Sequence, residues 1–197
     1  MAVLVLGPSK WRAGNHPSLP ECVSFFLPED WPVRGTHQLT PLDLRAALVG
    51  ALVRAGCRAT MMEMQVPEPG ETHTALFQRL VRDLPVDRYL LYWPYGSQRA
   101  GLDVEIGFLL AQFEAGACPD VRVLVQAGAH AAGRIEGGDF IVLEGGRRTR
   151  YYEDLVRYGC PIVEWEDSSA LWSAVLEHGR VAPEPIPSPA RRAKHGE

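Results

Sequence analysis

The sequence predicts a single α/β domain with a flavodoxin-like or Rossmann-like architecture: a doubly wound, mostly parallel five-stranded sheet with helices on both faces. Short apolar runs alternate along the 197 residues with longer segments whose apolar residues recur at helical spacing. Such alternation requires crossover connections, which are right-handed and cover a parallel sheet on both sides. We expect this domain to span residues 1–180 and a disordered, Pro-rich basic tail to occupy 181–197.

The first predicted element is a strand, Ala2–Leu6, whose apolar sequence is typical of a strand buried on both faces. Pro, Gly, Asn and Trp crowd residues 9–40, and we expect this long loop to cover one end of the sheet as a lid. Thr40 and Pro41 then start a helix that Gly56 ends. The later elements are strands at 58–64, 89–93, 121–125, 140–143 and 161–165, and helices at 76–84, 102–115, 151–158 and 168–178, the last capped by Ser168.

Composition narrows the classes of partner. The net charge is −4 and basic residues are scattered, which argues against a polymeric nucleic acid as ligand. We expect no signal peptide, because the first apolar run is far shorter than a signal-peptide core and no basic region precedes it. No apolar run approaches the roughly 20 residues that span a bilayer. We therefore expect a cytoplasmic protein with no membrane partner. No metal is expected, because no metal-ligand spacing joins the cysteines, which are Cys22, Cys57, Cys118 and Cys160. No cofactor is expected either.

The first candidate ligand loop follows the first strand. Ligands of open α/β sheets bind beyond the carboxyl ends of the strands, where the strand order reverses. At that edge Gly7 permits close backbone approach, Ser9 supplies a hydroxyl and Trp11 an aromatic surface. The loop is neither a GxGxxG nor a Walker motif, so a dinucleotide or triphosphate cradle of those types is not predicted. An ordinary turn is the alternative interpretation.

The second candidate loop follows the strand at 89–93 and leads into the helix that carries Glu105. Glu105 falls in the predicted first turn, roughly 60° from the centre of the apolar face, at the edge of the core. A carboxylate sheltered there can stabilise a cation or attack an electrophilic carbon, or it can simply complement the helix dipole. Residues predicted to bind substrate beside it are Trp93 and Tyr95 by stacking, Ser97 and Arg99 through phosphate, and Gly101 and Asp103 within the loop.

A resemblance favours the chemical interpretation of Glu105. The run Gly101-Leu102-Asp103-Val104-Glu105-Ile106-Gly107 resembles the G-x-x-x-E-[IL]-G segment of the nucleoside 2-deoxyribosyltransferase-like superfamily, which includes nucleotide N-glycosidases. Gly7-Pro8 is similar to the early Gly-Pro loop of that family. The resemblance implies cleavage of the N-glycosidic bond of a nucleotide or nucleoside, with Glu105 as nucleophile or oxocarbenium stabiliser. It also implies a homodimer.

Two departures from the family pattern leave alternatives open. Arg79 and Arg99 stand where the transferases usually carry acidic or small polar residues, and arginine favours phosphate, which points to a nucleotide. A TIR-like NAD-cleaving enzyme is one alternative, since those domains also use a Glu on a helix beside a similar sheet. A non-catalytic nucleotide-binding sensor is the other, because lost substrate-gripping acids can mean lost turnover.

Overall fold

A computed structural model describes residues 1–10, 26–29, 31, 39–94, 97, 100–126, 133–136, 139–142 and 150–180. The strands are β1 (Ala2–Leu6), β2 (Arg58–Thr60), β3 (Arg88–Trp93), β4 (Val121–Gln126), β5 (Gly133–Glu136), β6 (Asp139–Val142) and β7 (Ile162–Trp165). The α-helices are α1 (Pro41–Arg54), α2 (His73–Asp83), α3 (Ala100–Glu114), α4 (Arg150–Arg157) and α5 (Ser168–Arg180), and a 3-10 helix spans Met62–Met64.

Five strands form one all-parallel sheet in the order β2-β1-β3-β4-β7. This order confirms the predicted α/β fold of the flavodoxin-like type. The chain moves outward in opposite directions from β1 and β3, so the strand order reverses between these two neighbours. A ligand crevice is therefore expected beyond Leu6 and Trp93, the last residues of the two strands.

Helices cover both faces of the sheet because the apolar side chains of its strands point alternately to either side. In β1, Val3 and Val5 belong to the cluster that contains the buried residues of α1 and α5. Leu4 and Leu6 belong to the other cluster, with those of α2, α3 and α4. Burial of each such side chain stabilises the fold by about 1.5–3 kcal/mol before entropy is counted.

The helix ends follow local chemistry. A capping box starts α1, in which Asp43 N donates to Thr40 Oγ1 at 3.2 Å and Thr40 N donates to Asp43 Oδ2 at 2.7 Å. Gly56 follows that helix with φ of +87°, as predicted. The predicted cap of α5 is wrong: Ser168 is already helical, and Ala170 N donates to Asp167 Oδ1 at 2.9 Å, so Asp167 is the N-cap.

Two strand predictions also differ from the structure. The strand predicted at 58–64 ends at Thr60, because β2 is an edge strand that pairs with β1 at only three positions. The chain then turns into the 3-10 helix Met62–Met64, which places Glu63 beyond the carboxyl end of the sheet. The short strand predicted at 140–143 is Asp139–Val142, and its antiparallel partner Gly133–Glu136 was not predicted.

Several predictions fall outside the described residues. These are most of the lid at 9–40, the tail at 181–197, and the side chains of Trp11, Tyr95 and Arg99. The described parts of the lid segment pack against α1, where Trp31 Nε1 donates to Asp43 Oδ1 at 2.9 Å. None of the helices in the described part of the chain combines the length and the apolar sequence of a membrane-spanning segment.

Candidate functional site

Glu105 and Gly7 meet at the reversal of strand order. Gly7 follows β1, and its N–H donates to Glu105 Oε2 at 2.9 Å although 98 positions separate the two residues. The side chain of Glu105 is only 8% exposed. A Cβ on Gly7 would stand 2.5 Å from the backbone oxygen of Tyr92 and 3.2 Å from Arg45 Cδ, so only glycine permits this close approach. The crevice therefore contains a carboxylate fixed by the backbone.

The position of Glu105 along its helix differs from the prediction. α3 begins at Ala100, two residues earlier than expected, so Glu105 lies in the second turn. The field of a helix terminus falls off within the first turn and does little for a carboxylate there. The Gly7 N–H replaces the helix start as the group that holds this carboxylate.

A fully buried arginine lies behind the carboxylate. Arg45 belongs to α1, and its Nη1 is 3.9 Å from Glu105 Oε1. Its Nη2 donates to Ser9 Oγ at 3.1 Å and forms an ion pair with Glu63 Oε1. Ser9 Oγ in turn donates to Glu63 Oε1 at 3.0 Å. One guanidinium thus stands between two carboxylates that come from different elements.

Burial dominates the electrostatics of Glu105. Removal from water raises the pKa of Glu105 to about 8, the attraction of Arg45 opposes this rise, Glu63 adds to it, and the Gly7 N–H opposes it. At neutral pH the carboxyl group therefore retains a proton in most molecules. Its ionised fraction grows as the pH rises towards and above about 8.

The two carboxylates face a cavity of about 140 Å³. Pockets for drug-sized ligands have roughly 300–1,000 Å³, so the described residues enclose room for a sugar ring rather than a whole nucleotide. None of the described lining residues is Lys or Arg. The lining comprises Gly7, Ser9, Met62, Glu63, His73, Thr74, Phe77, Gly101, Val104 and Glu105.

A larger cavity of about 550 Å³ shares Glu63 with the smaller one. Its lining is largely apolar and includes the aromatic residues Phe26 and Trp31 together with Arg54. Arg54 lies over the ring of Phe26, with its guanidinium carbon 5.5 Å from the ring centroid. Glu63 therefore lines both the small cavity beside Glu105 and the larger, mainly apolar cavity.

The remaining predicted site residues separate into two groups. Gly101 lines the small cavity as expected, whereas Asp103 lies in the first turn of α3 outside the lining. Trp93 does not form an aromatic mouth: it is 1% exposed and packs edge-to-face against Tyr152 in the core. Ser97 is buried too, and its hydroxyl donates to the backbone oxygen of Pro94 at 2.9 Å.

The side chain of Arg79, one of the two departures from the family pattern, is bound by Glu71. Its Nε and Nη2 donate to the two oxygens of Glu71, each at 2.8 Å, and Nη2 also donates to the backbone oxygen of Val66 at 3.1 Å. The side chain does not line the small cavity. The expectation of a phosphorylated ligand rested on Arg79 and Arg99. Arg79 is bound by Glu71, and the side chain of Arg99 lies outside the described residues.

Sequence reasoning missed Arg45 and Glu63 as site residues. Arg45 stands three, four and seven positions before the buried Leu48, Val49 and Leu52, so a charged residue occupies an apolar position of α1. A charged residue at an apolar position of a helix indicates a buried charge, so Arg45 could have been predicted as a site residue. Glu63 carries no comparable local signal, because only the tertiary fold brings it to Arg45.

Comparisons with family models, with curated proteins and with solved structures give no match for this chain. The site must therefore be interpreted from its own geometry. In the described ranges, no group of three or more His, Cys, Asp or Glu side chains is arranged to hold a metal ion.

Proposed function

We propose that this protein cleaves the N-glycosidic bond of a nucleoside or nucleotide, with Glu105 as nucleophile or oxocarbenium stabiliser. The observation that carries the proposal is the buried Glu105 carboxyl group, held by the Gly7 N–H at the wall of a sugar-sized cavity. A carboxylate in that setting is suited to an oxocarbenium-like transition state, as in retaining glycoside cleavage. The sequence resemblance around Glu105 supports the same assignment.

The cavity favours a pentose as the group beside Glu105. Carboxylates and hydroxyls bind sugar hydroxyls, and the small cavity supplies Glu63, Ser9 and Thr74 in addition to Glu105. The larger cavity that shares Glu63 has room for the base and offers it aromatic side chains. Among the described lining residues of the small cavity there is no Lys or Arg to pair with a phosphate.

The proposed reaction uses ionised Glu105 in two steps. Glu105 Oε1 forms a bond to C1′ while the C1′–N bond breaks, and its electron pair leaves with the base, which takes a proton from solvent. Water then attacks C1′, the ester bond to Glu105 breaks, and the free sugar departs as the water loses a proton. If Glu105 only stabilises the cation, water attacks the oxocarbenium ion directly. The Oε2–Gly7 hydrogen bond orients the carboxylate in either case.

A non-catalytic nucleoside or nucleotide binder is the second candidate. One observation favours it: burial raises the pKa of Glu105 to about 8, and a protonated carboxyl group is a weak nucleophile. Such a protein would bind a ligand in the same cavity without consuming it.

The test is product analysis by chromatography after incubation of the purified protein with ribonucleosides, 2′-deoxynucleosides, nucleoside monophosphates and NAD. We expect release of a free base from at least one of them, or of nicotinamide from NAD. Glu105→Gln should reduce the rate at least roughly 10³-fold, because it removes the reacting carboxylate.

Glu114→Gln is the matched control, since Glu114 is an exposed residue at the end of the same helix. It should leave the rate unchanged. Turnover that persists in Glu105→Gln would contradict the proposal. Absence of turnover, combined with a ligand that raises the melting temperature, would assign the binding role instead.

A further inference from the structure

Arg45 has more hydrogen-bonding capacity than the described residues use. Its side chain is fully buried, and its Nη2 serves Ser9 and Glu63. Among the described residues, its Nε and Nη1 have no hydrogen-bond partner, and neither does the buried Oε2 of Glu63. Nη1 is the nitrogen that lies 3.9 Å from Glu105, within reach of attraction but beyond a hydrogen bond.

We propose that Arg45 is a positioning residue. The way in which its guanidinium donors are shared between Glu63 and Glu105 sets whether Glu105 is ionised or protonated. The inference concerns the site used in the proposed function, and it starts from the contacts that Arg45 makes with the two carboxylates. A guanidinium has a fixed fork of donors, so a closer grip on one carboxylate limits its grip on the other. Glu63 holds the hydrogen bond at present, and Glu105 receives only the longer contact.

The groups facing Glu105 come from each element packed around the cavity. The Gly7 N–H after β1 and Arg45 on α1 favour its ionised form, while Glu63 on the 3-10 helix disfavours it. On α2, the exposed His73 lines the same cavity. Arg45 and Glu63 carry opposite charges. Removal of Arg45 and removal of Glu63 should therefore move the titration midpoint of Glu105 in opposite directions.

A purely structural role would give a different result. If Arg45 served only to neutralise Glu63 and fix the loop after β1, Arg45→Met would alter stability without raising the Glu105 midpoint, whereas loss of the Glu63 charge would lower that midpoint in either case. The deciding observable is therefore the titration midpoint of Glu105 in the ligand-free protein. This midpoint does not depend on turnover, so failure of this inference and failure of the proposed function are separate results.

The experiment is NMR titration of protein labelled with ¹³C at the glutamate carboxyl carbon. The resonance that Glu105→Gln removes is assigned to Glu105. Glu63→Gln should lower its midpoint and Arg45→Met should raise it, each by roughly one pH unit or more. Arg45→Lys keeps the positive charge and should hold the midpoint nearer to wild type than Arg45→Met does.

Glu114→Gln, an exposed change on the helix of Glu105, should leave the midpoint unmoved. If Arg45→Met does not fold, the shift that Glu63→Gln causes is measured in the wild-type protein and again in Arg45→Lys, because lysine keeps the positive charge but lacks the fork of donors that can turn from Glu63 to Glu105. A larger downward shift with arginine present supports the inference. Equal shifts in the two proteins overturn it.

Discussion

Two pairs of Glu and Arg in this protein differ in the direction in which the pKa of the glutamate is shifted. On the partly exposed side of α2, Arg79 donates to both oxygens of Glu71 at 2.8 Å, and this hydrogen bonding lowers the pKa of Glu71 to about 2. Beyond the carboxyl end of the sheet, Arg45 approaches Glu105 only to 3.9 Å, and burial raises the pKa of Glu105 to about 8.

The difference shows that a neighbouring arginine does not by itself keep a carboxylate ionised. Direct hydrogen bonds outweigh desolvation for Glu71, whereas desolvation outweighs a cation at longer range for Glu105. Arg45 is also engaged by Glu63, a competitor that adds its own negative charge near Glu105. The first pair is suited to holding a surface together, whereas the second contains a carboxyl group whose ionisation depends on its surroundings, as is typical of functional sites.

The largest expected effect on stability is the pH dependence that Glu105 imposes. Its folded pKa of about 8 lies above its ordinary value of 4.5, so the folded state retains a proton that the unfolded state releases between these values. Stability therefore falls as pH rises through this window, by on the order of 4 kcal/mol. Glu105→Gln should abolish this decrease in stability, because glutamine does not titrate. Urea unfolding at pH 5 and pH 8.5 should show the variant gaining stability relative to wild type at the higher pH.

The matched change in the other pair should act with the opposite sign. The pKa of Glu71 is lowered, so its contribution is present above 4.5 and disappears as pH falls towards about 2. Glu71→Gln should therefore be less stable than wild type at neutral pH and approach it in acid. If the two Glu→Gln variants changed in the same direction between acid and neutral pH, the contrast between the pairs would be wrong.

A smaller effect is expected from glycines next to the two pairs. Gly7 has φ of +149° and no room for a Cβ, so Gly7→Ala should cost roughly 3 kcal/mol through strain and displacement of the Tyr92 backbone or Arg45. Gly70 has φ of +80° but open space around it, so Gly70→Ala should cost only about 1 kcal/mol. Unfolding free energies at one pH make the comparison, and equal costs would show that the close approach at Gly7 is not constraining.

Most of the fold could be predicted because its signals are local. The apolar run Ala2–Leu6, the cap at Thr40 and the stop at Gly56 each depend on a few neighbouring residues, and the structure confirms them. The strand predicted at 58–64 was too long because its end is decided by where β1 offers a partner, which is not written in the segment itself.

The candidate site could be predicted only in part. The loop after β1 and Glu105 were found, because strand order and the helical pattern locate both. The neighbours that decide the behaviour of Glu105 were not found. Arg45 interrupts an apolar pattern and was detectable, whereas Glu63 reaches the site only through the tertiary fold. Trp93 was misplaced because a buried strand end and a pocket mouth have the same sequence pattern.

The most direct test of the central claim is the pH dependence of kcat/KM for base release by the wild-type protein. This ratio reports ionisations of the free enzyme. If ionised Glu105 is the reacting group, kcat/KM should rise about tenfold per pH unit below about pH 8 and level off above it, because burial raises the pKa of Glu105 to about 8. A profile that is flat through this range, or that falls above pH 8, would contradict the claim that the Glu105 carboxylate performs the reaction.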